Sequence, residues 1–318
     1  MKNLLKISLI VFITLGFASC SDDNDPNPDP QTNTIADFVA SNDDYSSLKA
    51  ALDKTDLTTT LAGQGDFTVF APNNAAFAAF LNANGFASLD DVPTDLLKNV
   101  LLNHVVSGKV MAADLTTGYI NTLATEASSG ANLSMYVNIS SGVKLNGIST
   151  VTSADIEADN GVIHAVNAVI SLPTVVTFAT ADPTFATLVA ALTRADQPDY
   201  VSILSTPEGT SPAPFTVFAP TNDAFAALLV ELGANSLSDI DGPTLTAALN
   251  THVIAGANVR AADLTDGTVT TLGADLVVDA TNATLTDPNG RVSNIIVVDV
   301  QAVNGVVHAI DKVLLPQL

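Results

Sequence analysis

Residues 67–77 read FTVFAPNNAAF and residues 215–225 read FTVFAPTNDAF, identical at nine of eleven positions. Phe67-Thr68-Val69-Phe70 and Phe215-Thr216-Val217-Phe218 are rich in aromatic and β-branched side chains, which predicts a buried strand. Ala71-Pro72 and Ala219-Pro220 end that strand, because proline cannot donate to a ladder. Asn73 and Thr221 are residue types that cap a helix start. Apolar-rich helices then follow over Ala75–Phe80 and Asp223–Leu229, with Asp223 placed to complement the helix dipole. Asn74 and Asn222 read as amides that fix the corner. The unit is strand, corner, helix, and no catalytic residue type is needed to explain it.

Outward from these strings the duplication continues. His104 in LLNHVVSG lies 37 residues after Phe67, and His252 in LNTHVIAG lies 37 after Phe215. DNGVIHAVNAVI around His164 and VNGVVHAIDKVLLP around His308 close the two copies. Toward the N-terminus, TIADFVASNDDYSSLKAAL from Thr34 aligns with TVVTFATADPTFATLVAAL from Thr174 at an offset of 140, which grows to 148 at the FTVFAP strings. The eight extra residues of the second copy fall in PDYVSILSTPEGTSPAP, which reads as a loop. The period exceeds that of any solenoid and is the length of a domain. We therefore divide the chain into domains at 34–173 and 174–318, each of a size that buries roughly two-thirds of its unfolded surface. Little linker separates Pro173 from Val175, which leaves the domains limited freedom.

Within each copy, helical spacing marks Asp37–Leu52 and Pro93–Val106, then Pro183–Leu192 and Pro243–Val253. Strand-like runs follow: LSMYVNI, GVKLNGI and GVIHAVNAVI in the first copy, ADLVVDA, ATLTD and GRVSNIIVVDVQAVNGVVHAI in the second. Asn160-Gly161 and Asn304-Gly305 mark tight turns between paired strands. Helices first, then an antiparallel sheet, predicts the α+β class.

The first residues are of another kind. Lys2 and Lys6, the apolar run Ile7–Phe17 and the small residues before Cys20 have the layout of a signal peptide over residues 1–19, too short to span a bilayer. Cys20 is the only cysteine. The segment resembles a bacterial lipoprotein signal, with Phe17 where an aliphatic residue is usual. The resemblance implies acylation of Cys20 and anchoring at the cell envelope, on the outer membrane; the alternative is a secreted protein with an unpaired thiol. SDDNDPNPDPQTN after it has nothing to bury and reads as a disordered acidic tether over 20–33. Ser21-Asp22-Asp23 resembles a surface-export signal, and reads equally as solvated linker.

Without Lys2 and Lys6 the chain carries 9 basic and 33 acidic residues, net −24. The acid is spread evenly: 14 acids and 5 bases in the first copy, 15 and 4 in the second. Such a surface repels phosphate backbones, so no nucleic-acid partner is expected. Tryptophan is absent and tyrosine occurs four times, so the usual sugar-stacking platform is lacking.

All four histidines lie in the repeated strings. They stand singly, with no HxH or HExxH spacing and no cysteine partner, and read as buried residues whose ring nitrogens satisfy backbone groups. No metal, cofactor or catalytic residue is expected. There is no GxSxG elbow and no phosphate cradle, and GQGDFT at Gly63 lacks a third glycine. Asp239 and Asp241, like Asp22, Asp23 and Asp25, lack the spacing of a calcium loop.

FTVFAPTNDAF, the LxxHV-type histidine and NGVVHAIDKVLLP together resemble the fasciclin-like domain family, twice over and across residues 34–318. The resemblance implies a pair of antiparallel β-wedges flanked by helices, extracellular and non-enzymatic. It also implies a role in adhesion through an unidentified surface or matrix protein or a glycan. Binding of extracellular polysaccharide is the alternative function. The family's integrin-recognition region pairs an aromatic residue with the middle histidine. Here Asn103 precedes His104 and Thr251 precedes His252, so integrin binding is not carried over.

Overall fold

The computed structural model describes residues 33–317. Cys20, the signal-peptide and the tether assignments lie outside the described residues, apart from Asn33. The first copy runs α1 (Ile35–Ser41), α2 (Ser46–Lys54), α3 (Thr58–Ala62), β1 (Phe67–Pro72), α4 (Asn74–Ala83), α5 (Thr94–Leu102), β2 (Val105–Ser107), β3 (Gly118–Thr125), β4 (Asn132–Asn138), β5 (Lys144–Leu145), β6 (Ser149–Ala158) and β7 (Gly161–Val166). The second repeats the plan: α6 (Val175–Ala181), α7 (Ala186–Leu192), α8 (Tyr200–Leu204), β8 (Phe215–Pro220), α9 (Asn222–Leu232), α10 (Gly242–Asn250), β9 (Val253–Ala255), β10 (Gly267–Thr270), β11 (Asp275–Asp279), β12 (Thr284–Thr286), β13 (Val292–Ala302) and β14 (Gly305–Ile310).

Each copy builds its own seven-stranded sheet, ordered β2-β1-β7-β6-β5-β4-β3 and β10-β11-β12-β13-β14-β8-β9. The α+β class and the tandem arrangement are as expected, and the sheets are mixed. β1 runs parallel to β7, with Phe67 beside Gly161 and Pro72 beside Val166, and β8 runs parallel to β14 in the same register. Every other junction is antiparallel. The helix that follows each FTVFAP strand carries the chain away from the sheet, so the strand cannot be half of a hairpin with β7.

The FTVFAP strands are buried on both faces because each sheet separates two apolar layers. In the first copy Val69 and Ala71 join a core with α1, α2, α4 and α5, while Phe70 enters a second cluster with Met135, Val137, Leu145 and Ile170. In the second copy Val217 and Ala219 face the helices, and Phe218 packs with Leu276, Val278, Leu285 and Leu314. Alternation along a strand sends neighbouring side chains to opposite layers.

Two local expectations change. The helical stretch expected over Asp37–Leu52 breaks at Asn42; in the second copy the stretch expected over Pro183–Leu192 is helical, and a further helix, Val175–Ala181, precedes it across Asp182 at 92°. Asn42 and Asp182 are extended and cap the next turn, accepting from the amides of Asp44 and Thr184. The residue before Pro183 is also disfavoured from helical geometry. The Pro/Ser/Gly-rich insertion is not all loop. Asp199 caps α8 by accepting from Ser202 N, and Tyr200 and Leu204 bury its inner face.

Candidate functional site

The residues that the two copies share converge on the seam between the FTVFAP strand and its neighbours. The corner comes first. Asn73 and Thr221 accept from the amides of Ala76 and Ala224 and cap α4 and α9. Asn74 and Asn222 reach the other way. Asn74 Oδ1 accepts from Ser47 N at 2.8 Å and its Nδ2 donates to Asp43 O at 2.8 Å. Asn222 Oδ1 accepts from Thr187 N at 2.8 Å and its Nδ2 donates to Pro183 O at 2.9 Å. Each amide joins the start of one helix to the bend before another.

Pro72 and Pro220 are tolerated for a geometric reason. Phe70 N donates to His104 O and Phe218 N to His252 O, toward the short neighbouring strand. Two residues on, the proline nitrogen faces the same side beyond that strand's end, where the ladder asks for no donor.

His104 and His252 stand where α5 and α10 give way to β2 and β9, both 2% exposed. The Nδ1–H of His104 donates to Val100 O at 2.7 Å, and Nε2 accepts from Ile170 N at 2.8 Å. His252 does the same with Ala248 O at 2.7 Å and Leu314 N at 2.9 Å. One donor and one acceptor per ring require the neutral imidazole. Burial pushes both side chains down from 6.5 to about 4, against the opposing pull of the carbonyl each ring donates to.

His164 and His308 hold a different feature with the opposite tautomer. The Nε2–H of each donates to a carbonyl, Val110 O and Val259 O, both at 3.0 Å. Nδ1 accepts from Asp155 N at 3.2 Å and from Asp299 N at 3.4 Å. Asp155 and Asp299 have φ of 59° and sit where the registers of β6 on β7 and β13 on β14 shift. A bulge leaves an amide off the ladder, and the histidine satisfies it. Burial lowers the pKa of His308. Phe70 and Phe218 stack on these rings, with centroids 5.5 and 5.8 Å apart. With both nitrogens of all four rings engaged by backbone, none offers a lone pair to a metal or a substrate. Among the described residues no group of three or more His, Cys, Asp or Glu could hold a metal ion. Asp239 belongs to a capping box and Asp241 is an N-cap.

Other shared residues were not singled out from the sequence for what they do. Asn160 is the first. Its Oδ1 accepts from Ile35 N, and its Nδ2 donates to Leu61 O and Gly63 O, both at 2.8 Å. Asn304 repeats this with Val175 N, Leu204 O and Thr206 O. The following glycines are not turn residues but strand residues. A Cβ on Gly161 would lie 2.0 Å from Phe67 O, and one on Gly305 2.2 Å from Phe215 O. Lys54 and Arg194, also 140 apart, both cap carbonyls. Lys54 Nζ donates to Leu89, Asp90 and Val92, and Arg194 Nη1 to Leu237 and Ile240. A basic residue at the same place in both copies of a base-poor chain was the available signal.

The family model of the fasciclin domain matches residues 43–173 and 183–316. The chain belongs to the fasciclin domain family. Among its relatives, protein sll1483 of Synechocystis is 40% identical over 44% of this chain and 74% of its own length. The transforming growth factor-beta-induced protein ig-h3 of pig is 34% identical over 83% of this chain, which spans only 37% of ig-h3. The cell surface glycolipoprotein MPB83 of Mycobacterium bovis is 36% identical over 45% of this chain and 60% of its own. Among solved structures, a domain pair from the insect cell adhesion molecule fasciclin I superposes with a TM-score of 0.53 and 16% identity, over 86% of this chain and 97% of that one. That likeness concerns the fold, and it extends to the pairing of two fasciclin domains in one chain.

The two fasciclin domains are also docked on one another. Tyr119 OH donates to Asp182 Oδ2 at 2.9 Å, and its ring meets Phe178 edge-on at 5.6 Å. Tyr136 belongs to the core of the second copy. Burial, then the charge of Asp182, raises its pKa to about 12. Gln301 N donates to Ser134 Oγ at 3.0 Å across the seam. This interface is more extensive than a short linker alone implies.

Proposed function

We propose that the chain is a non-catalytic interaction protein of the bacterial cell surface, acylated at Cys20 and held at the outer membrane, whose paired fasciclin domains bind a surface or matrix protein. The observation that carries this reading is the inward commitment of the shared polar residues. His104, His164, His252 and His308 each spend both ring nitrogens on backbone, and Asn74, Asn160, Asn222 and Asn304 tie elements together. Side chains committed to holding the backbone leave recognition, not chemistry, as the reading these shared residues support. The family membership supports the same reading, since its solved neighbour comes from a cell adhesion molecule and MPB83 is a cell surface glycolipoprotein.

A protein partner is favoured over a glycan. Tyr45, Tyr136 and Tyr200 are buried, and the half-buried ring of Tyr119 packs against Tyr136 and Phe178, so the tyrosines do not form an open platform for a sugar ring. Two domains on one anchor also allow a bivalent grip.

Cells lacking the chain test the proposal when complemented with the wild type or with Cys20→Ala. Attachment and cell–cell aggregation are expected to fall on deletion and to return with the wild type only. An alkynyl palmitate label is expected on the wild type and not on the variant. Unchanged attachment after deletion would end the adhesion reading, and a labelled Cys20→Ala protein would end the anchor.

A further inference from the structure

In the second domain α8 stands where α3 stands in the first. Asn304 Nδ2 donates to Leu204 O and Thr206 O at the end of α8, as Asn160 Nδ2 does to Leu61 O and Gly63 O at the end of α3. Between α6, α7, α8 and the sheet lies a cavity of about 90 Å³, walled by side chains such as Phe185, Leu188, Val217 and Ala219. The matching space in the first domain is about 20 Å³, and there Val39 stands in place of Ala179. The room is therefore particular to the second copy.

The interior gives water nothing to hold. Tyr200 is the one lining residue with a polar group deep in the fold, and its hydroxyl donates to Asn250 Oδ1 at 2.8 Å, a residue that does not line the cavity. A cavity lined by apolar groups stays dry and takes apolar guests. It opens to solvent between Thr180, Thr193 and Val201, the exposed residues among those that line it. Both threonines spend their hydroxyl hydrogen on their own helices. Thr180 Oγ1 donates to Val176 O at 2.9 Å, and Thr193 Oγ1 to Val189 O at 2.8 Å. The rim thus presents methyl groups and oxygen lone pairs, with no donor. Arg194, next to Thr193, is held by Asp196 at 2.6 and 2.8 Å and by the carbonyls of Leu237 and Ile240.

We propose that this cavity binds a small free amphiphile, an unbranched alkyl chain whose end fills the cavity and whose head donates a hydrogen bond to Thr180 or Thr193 at the rim. Size selects the chain. A cavity of about 150 Å³ holds a benzene ring. The space here is smaller, which suits a chain end and not a ring, and leaves the rest of the chain to lie along Val176, Val189 and Val201. The rim selects the head. An alcohol finds acceptors there, while a carboxylate meets no donor and a strongly acidic protein. Binding at this site is independent of adhesion and of the anchor at Cys20, so either can fail alone.

Methyl-resolved NMR of the unacylated full chain in detergent-free buffer tests the site, with n-alkanols from propanol to octanol as probes. Saturable shifts are expected at Val176, Leu188, Val189 and Val201, and none at Val39 and Leu48, which also report that the first domain stays folded. Affinity should rise about fourfold with each methylene that still enters, then level off once the cavity is full. Hexanoate is expected to bind at least about tenfold more weakly than hexanol, because its carboxylate loses water without gaining a donor. Ala179→Val puts two methyl groups into the space and should weaken hexanol about tenfold in a folded protein. Absence of saturable shifts with every alkanol would overturn the proposal. So would hexanol binding to Ala179→Val as it does to the wild type, equal shifts in the first domain, or hexanoate binding as tightly as hexanol. Shifts seen only with phosphatidylcholine vesicles, and not with free alkanols, would likewise refute a site for a free amphiphile.

Discussion

The two fasciclin domains agree where their side chains serve the backbone and differ where they meet solvent or each other. His104 and His252 bind the same kinds of partner to within about 0.1 Å, as do His164 and His308 to within about 0.2 Å. The outer face of the bulged strand behaves otherwise. Thr152-Ser153-Ala154 of β6 correspond to Ile296-Val297-Val298 of β13, which are exposed by 52, 39 and 46%. Asn42 at one helix break is Asp182 at the other, and only the latter binds Tyr119 across the seam. The layer beneath the helices differs too, with a cavity of about 90 Å³ in the second domain against about 20 Å³ in the first. The lesson is that the buried hydrogen bonds define the domain, while the exposed positions were free to give the copies separate tasks.

The agreement should break most completely at the glycines. Gly161 and Gly305 have φ of 154° and 153°, and a Cβ on either would collide with the backbone of the parallel FTVFAP strand. Gly161→Ala and Gly305→Ala are expected to cost more than about 4 kcal/mol and to unfold their own domain. Gly85 is the control: its φ is 72° and nothing lies within 4 Å of a Cβ there. Gly85→Ala should cost about 1 kcal/mol, the ordinary penalty of left-handed backbone. Thermal denaturation followed by circular dichroism separates the two, and comparable melting temperatures for Gly85→Ala and Gly161→Ala would contradict the close-approach argument.

These glycines also mark how far the sequence could be read. The Asn-Gly pairs announced a turn and its place, yet the turn residues are Asp159-Asn160 and Val303-Asn304, and each glycine already lies in the strand. Nothing in a linear pattern reveals that a strand nearly a hundred residues earlier packs against that backbone. The parallel pairing of β1 with β7 was hidden for the same reason. Local signals fared better. The N-caps Asn73 and Thr221 are where their residue types placed them, because capping is decided within four residues. The short edge strands β2 and β9 begin inside the stretches expected as helix, Pro93–Val106 and Pro243–Val253; the helices end at Leu102 and Asn250, and strands three residues long offer no alternation to detect. The histidines stood out as a repeated set. That one pair closes a helix exit and the other a bulge became visible only with the partners in place.

A smaller effect should sharpen the comparison of the helix-exit histidines. A buried ring held neutral has a folded pKa below its unfolded one, so its stabilising contribution is complete above 6.5 and lost as pH falls toward about 4. Each of His104 and His252 is expected to contribute up to about 3 kcal/mol of acid lability over that window. His104→Ala leaves the carbonyl of Val100 and the amide of Ile170 without partners and should cost about 2–4 kcal/mol at neutral pH. It should also remove the acid lability of the first domain alone. Urea denaturation of the wild type, His104→Ala and His252→Ala at pH 7 and 5 measures both. A variant whose stability falls with pH as steeply as the wild type's would show that other groups carry the acid response.

The smallest effect expected concerns the helix layer. Ala179 of α6 corresponds to Val39 of α1, and each lines its own domain's cavity. Restoring the two missing methyl groups with Ala179→Val buries apolar volume worth about 1.5 kcal/mol. Valine loses side-chain freedom in a helix, which costs about 0.5 kcal/mol. The net expectation is a gain of about 1 kcal/mol, read as a rise of a few degrees in the melting temperature of the second domain. The reciprocal change, Val39→Ala, should cost about 2 kcal/mol in the first domain, because that layer is already filled and a new void would open. If Ala179→Val were destabilising instead, the larger cavity would follow from the way α8 sets the spacing of the helices, and not from the side chain alone. The inserted segment would then be the cause of the asymmetry in the core.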